Sequence, residues 1–165
     1  FNIAWIFAWH YEQFVLTLIL MVGLLISLIA IYVRLGVGRR EVSAGERWLV
    51  HLPFSIYLGW ISVATIANVT TVLVTGVWGV WGISPEIWTV LVILVGGALG
   101  IAMALTRRDW AYPLVIVWAF IGIVVARPDV LPVSIAASVM AGIDFLAAIA
   151  GQLIRRSPGV AAAAS

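Results

Sequence analysis

The chain has 165 residues, 64% of them hydrophobic, with a mean hydropathy of +1.18. A soluble domain is about half apolar, so this composition identifies an integral membrane protein. The net charge of +2 comes with no basic run for nucleic acid, and the absence of cysteine excludes disulfide scaffolds and thiolate metal sites.

The first segment, Phe1 to Trp9, is apolar but only about half the ~20 residues of a spanning helix. It reads as a fragment of a helix that starts upstream. Five complete spans follow, over about Phe14–Val33, Leu49–Val74, Ile87–Leu105, Ala111–Ala126 and Leu131–Ile154. The fourth is short and is aided by the interfacial Trp110 and Tyr112. Pro53, Pro85, Pro113 and Pro132 stand near span starts, where a missing N–H costs little, so unbroken helices are expected. The fold class is therefore all-α: a polytopic membrane helix bundle of five complete transmembrane helices plus an N-terminal helix fragment. The small, Ala-rich segment Ser157–Ser165 reads as a disordered tail.

The connections alternate in charge. Arg34, Arg39, Arg40, Arg47, Arg107, Arg108, Arg155 and Arg156 share one side, against Arg127 on the other with Glu12, Glu86 and Asp129. This bias places the Arg34–Arg47 loop and the C-terminus in the cytoplasm, with the bacterial inner membrane as the expected location.

Within Leu49–Val74, Tyr57, Trp60, Ala64 and Asn68 fall on one helical stripe at about 100° per residue. Two aromatics, a small residue and an amide inside a membrane suggest a surface for protein or a flat ligand; plain helix packing with an interhelical hydrogen bond from Asn68 is the structural alternative. Asn2, Trp5 and Trp9 form a second stripe that could face the same cavity. Asp144 is the one acid deep inside a span, about 20 Å from Leu131 and about 16 Å from Arg155 at 1.5 Å per residue. Intramembrane acids are functional candidates; the alternative is a neutral carboxyl group hydrogen-bonded to a neighbouring helix. His10 and His51 lie near opposite ends of spans, so they do not meet on one metal; each reads as an interfacial histidine or a single tetrapyrrole ligand. Gly96, Gly100 and Ala104, with Ala137, Ala141, Ala147 and Gly151, make slender faces for close helix packing, within the chain or against other membrane subunits. Trp78, Trp81, Trp88 and Trp110 sit near span ends as interface belts do. No metal site, nucleophile elbow, Walker loop or paired carboxylates are present in the sequence, so an enzyme is not expected.

The order of residues from Pro53 through Tyr57, Trp60, Ser62, Ala64, Thr65 and Asn68 resembles the last helix of the tryptophan-rich sensory protein family, also called the translocator protein or peripheral benzodiazepine receptor family. That helix reads approximately Pro-Tyr-Leu-x-Trp-Val-Ser-Phe-Ala-Thr-x-Leu-Asn, and Pro53 stands further from Tyr57 than the family's proline does. Asn2-Ile3-Ala4-Trp5 looks like the Leu-Asn-x-x-Trp of the family's third helix. The two motifs cover about residues 1–75, which makes the expected division a sensory-like bundle over 1–75, three additional transmembrane helices over 76–156, and the tail 157–165. The family's first two helices have no counterpart here. The resemblance implies a non-enzymatic protein that binds a flat hydrophobic ligand, a porphyrin or chlorophyll-type tetrapyrrole, with a link to photosynthesis regulation; the two stripes, Asn2, Trp5 and Trp9 with Tyr57, Trp60, Ala64 and Asn68, are the candidate ligand-binding residues. Two alternatives stay open: an accessory subunit docking on a larger membrane complex, photosynthetic or otherwise, and a transporter working through Asp144.

The arginine bias makes a direct prediction. Cysteine placed at Ser84 is expected to react with an impermeant thiol reagent on intact cells, whereas cysteine placed at Ser43 stays protected until the cells are opened. The reverse pattern would invert the topology.

Overall fold

A computed structural model describes residues 1–75 and 82–153. Trp78, Trp81, Arg155, Arg156 and the segment 157–165 lie outside the described residues. Helices α1 (Asn2–His10) and α2 (Phe14–Leu35) form a hairpin; a short α3 (Ala44–Glu46) and a π turn (Arg47–His51) run directly into α4 (Leu52–Thr75). Helices α5 (Pro85–Arg107), α6 (Ala111–Ala126) and α7 (Leu131–Leu153) complete the bundle. This is a polytopic helical membrane bundle. Four segments, Phe14–Leu35, Ala44–Leu73, Pro85–Arg107 and Leu131–Leu153, are long and apolar enough to cross a bilayer. The fifth, α6, has 16 residues. At 1.5 Å per residue it is about 24 Å long, somewhat short of the hydrocarbon thickness.

Local chemistry sets the helix ends. Gly36 takes the left-handed conformation that closes α2, at φ 65°. The Ser43 hydroxyl accepts from the Glu46 amide at 3.2 Å, starting α3. Ser84 does the same for Ile87 at 3.3 Å, with Pro85 occupying the first turn of α5. The span around Pro53 is continuous, as the sequence suggests, but not uniformly α-helical. Pro53 has no N–H to give the carbonyl four residues earlier. Immediately before it the ladder widens, and the Leu52 amide bonds to the Arg47 carbonyl, five residues back.

Helix α2 packs between α1 and α4, α4 packs on α6, and α6 packs on both α5 and α7. A continuous core joins Leu28 and Tyr32 of α2, Leu58 and Ile61 of α4, and Ile116 and Phe120 of α6. Alternating helix direction gathers the α2–α3 loop, the α5–α6 corner and the end of α7 at one end of the bundle, where the Gln152 side chain donates to the Arg108 carbonyl at 2.7 Å. Arg34, Arg39, Arg40, Arg47, Arg107 and Arg108 all belong to that end.

The slender faces of α5 and α7 meet each other. A methyl group at Gly97 would strike Met140, one at Gly100 would strike the Asp144 carboxyl group, and one at Gly151 would overlap the Ala104 backbone carbonyl. Gly96, by contrast, faces Phe120 of α6. Small residues allow backbones to approach closely where lipid supplies no hydrophobic drive between helices. Gly151→Ala is therefore expected to lower stability by about 1–3 kcal/mol, because the obstructing atoms are backbone and cannot rotate away. Gly122, with open space around it, is the matched control: Gly122→Ala should leave the thermal unfolding midpoint in detergent unchanged or slightly raised. Equal losses in both variants would refute the close α5–α7 contact.

Candidate functional site

The two stripes come together at one point. The Trp5 indole donates from Nε1 to Asn68 Oδ1 at 3.3 Å, linking α1 to α4. Asn68 in turn donates from Nδ2 to the Ala64 carbonyl at 3.0 Å, which fixes the orientation of the amide. Trp5 stacks on Trp9 with ring centroids 5.5 Å apart and planes 24° from parallel, and Trp9 meets Phe14 edge-on at 5.7 Å. Asn2 is exposed one turn before Trp5. This produces a face of two parallel indoles next to an oriented amide.

The rest of the α4 stripe is shared with other neighbours. Trp60 and Asn68 are eight residues apart, which at 100° per residue separates them by about 80° around the helix. Trp60 accordingly turns to Trp118 of α6, at 5.2 Å between centroids. Both rings are on the outside of the bundle, 44% and 63% exposed. Tyr57 and Ala64 are half-buried against the core. Ser62 and Thr65 return their hydroxyls to the Leu58 and Ile61 carbonyls of their own helix, and Ser62 also meets the Tyr112 hydroxyl of α6.

A second polar centre lies at the arginine-rich end. Asp109 is buried, and its Oδ2 accepts from the Tyr32 hydroxyl at 2.8 Å and from the Ser55 hydroxyl. Its Oδ1 accepts from the Ala111 and Tyr112 amides at 3.0 and 3.2 Å, the first free N–H groups of α6. Arg107 lies over the Tyr32 ring, 5.7 Å from its centroid. Sequence reasoning passed over Asp109. An aspartate two residues ahead of an apolar run is nevertheless a helix-start signal, and it could have been found on that ground. Next to this centre a cavity of about 480 Å³ opens between the π turn and the α5–α6 corner.

Asp144 is fully buried between α5 and α7, with Gly97 and Gly100 making room for it. Neither carboxyl oxygen has a hydrogen-bond partner among the described residues. The interhelical hydrogen bond expected for a neutral carboxyl group is not made among the described residues. His10 is exposed and His51 buried, at opposite ends of the bundle. No group of three or more His, Cys, Asp or Glu side chains is placed to hold a metal among the described residues.

The fold and the arrangement of its polar groups define a helical integral membrane protein with tryptophan-rich intramembrane faces. The sequence profile of the family described as TSPO-like protein matches residues 1–150. The chain belongs to that family. The match takes in α5, α6 and most of α7 as well as the first 75 residues, where the two motifs lie. No curated protein and no solved structure matches.

A buried carboxyl group without a partner costs about 1–3 kcal/mol. Asp144→Leu exchanges its two oxygens for methyl groups, and the polar penalty removed should offset the tighter fit against Gly97 and Gly100. Thermal unfolding in detergent is expected to show a stability within about 2 kcal/mol of the native chain. A larger loss would require a partner that bonds to the carboxyl group.

Proposed function

We propose that this protein is a non-enzymatic membrane receptor for a flat hydrophobic ligand, a porphyrin-type tetrapyrrole, bound against the joined α1–α4 face. The bond from Trp5 to Asn68 carries this reading, because it unites the two segments that resemble the tryptophan-rich sensory family. Indole planes held parallel at Trp5 and Trp9 offer π faces to a planar ring, and the Asn68 amide next to them supplies a directional polar group. Asn2 and Ala64 border this face, and Tyr57 and Trp60 extend it along α4 toward α6. In this reading the bundle lies in the bacterial inner membrane with its arginine-rich end toward the cytoplasm.

Quenching of tryptophan fluorescence by added protoporphyrin tests the proposal in purified protein. Trp5→Leu is expected to weaken binding about fivefold, since losing one aromatic stack costs about 1 kcal/mol. Trp60→Leu is expected to have a similar effect if the ligand spans the whole α4 stripe. Loss in Trp60→Leu alone would move the ligand to the α4–α6 face. Unchanged affinity in both variants would return all seven residues to helix packing.

A further inference from the structure

The cavity at the arginine-rich end is separate from the α1–α4 face, and its chemistry is different. Arg40, Arg47, Arg108, Trp48, Trp110 and His51 line it. None of the three guanidinium groups is in an ion pair among the described residues. Of the two acids in the wall, Glu41 and Asp109, Asp109 already has both oxygens engaged by four donors.

His51 adds an independent observation. It is buried to 5% exposure, and its Nε2 has no hydrogen-bond partner among the described residues. The nearest acid, Glu46, holds its Oε1 3.9 Å away, beyond hydrogen-bond reach. An imidazole nitrogen without a hydrogen bond, in a wall that also carries three arginines, is suited to an acceptor that arrives from outside the chain. The π turn Arg47–His51 supplies three of these six residues, and single π turns inside helices occur frequently at functional sites.

The aromatic rim indicates what carries the acceptor. Trp48 and Trp110 meet edge-on with centroids 6.4 Å apart, and Trp48 and its neighbour Leu49 are largely exposed. Indoles of this kind sit at the membrane–water boundary. The wall therefore offers cationic donors at headgroup level and an apolar rim facing the acyl region.

We infer that this cavity binds a phosphate group, delivered by the head of an anionic membrane lipid. Arginine forks bind phosphate oxygens through paired N–H groups, and basic pockets of this kind between transmembrane helices hold anionic headgroups. A free phosphate ester offers the same oxyanion without the apolar body. The test therefore includes both sources.

Native mass spectrometry of the full chain in mild detergent, titrated with phosphatidic acid or phosphatidylcholine, reads the site directly. Phosphatidic acid is expected to be retained in preference to phosphatidylcholine. Each of R40Q, R47Q and R108N should weaken its binding about fivefold, and the three combined at least tenfold. Asparagine is used at position 108 because Arg108 is left-handed, at φ 54°, a conformation asparagine tolerates. Arg127→Gln, at the opposite end, should change nothing. Trp110→Leu, which keeps every charge, gives a second reading should the triple variant fail to fold, and it too should lose affinity. Glycerol 3-phosphate at millimolar concentration distinguishes the sources: no displacement assigns the site to the lipid, and displacement assigns it to a free phosphate ester. Equal retention of the two lipids, or unchanged phosphatidic acid binding in the folded arginine variants, would overturn the inference. Porphyrin quenching of Trp5 variants is a separate measurement, so failure at one site leaves the other standing.

Discussion

One buried side chain ties the arginine-rich end together. Asp109 accepts from Tyr32 of α2, from Ser55 of α4 and from the first two free amides of α6. Hydrogen bonds to a charged acceptor contribute about 1.5–3 kcal/mol each, and here they come from three different helices. The carboxylate also lies at the positive end of the α6 dipole. Its position is set by Arg108, whose left-handed backbone ends α5 and turns the chain into α6. Everything else at that end depends on this corner: the Trp110 ring against Trp48, the Arg108 guanidinium at the cavity wall, and the Arg108 carbonyl that receives Gln152 from α7.

The middle of the bundle obeys a different constraint. In lipid there is no hydrophobic drive between helices, so contact distance decides the packing. Gly97, Gly100 and Ala104 of α5 bring its backbone against Met140, Asp144 and Gly151 of α7. The same closeness encloses Asp144, which gains burial without gaining a hydrogen bond among the described residues. A structure selected for stability alone would place an apolar side chain there, since an unmet buried polar group is a net cost. Its presence at that depth makes Asp144 a departure from pure packing logic.

The aromatic side chains divide between lipid-facing and polar-end roles according to the helix each one meets. Trp5 and Trp9 form a stacked pair anchored on Asn68, Trp60 and Trp118 form an outward pair across α4 and α6, and Trp48 and Trp110 frame the cavity. All three pairs use side chains from more than one turn or helix. The α1–α4 bond concerns the first pair; the arginines concern only the third.

Much of this protein could be read from its sequence. The spans were legible because a helix that crosses a bilayer must be long and apolar, and the observed α2, α5, α6 and α7 lie within two residues of the expected limits. The gathering of arginines at one end followed from alternating helix direction, and the motif around Tyr57, Trp60 and Asn68 pointed to the family whose profile covers residues 1–150. Tertiary structure decided what periodicity cannot carry. An 80° spread along α4 was enough to send Trp60 to α6 and Asn68 to α1, and no one-dimensional pattern says which helix stands at which angle. The partner of the α5 glycines, the Tyr32 and Ser55 hydroxyls on Asp109 and the burial of Asp144 depend on residues far apart in the chain. Spacing along a helix determines which side chains share a face; only the packed bundle determines what that face meets.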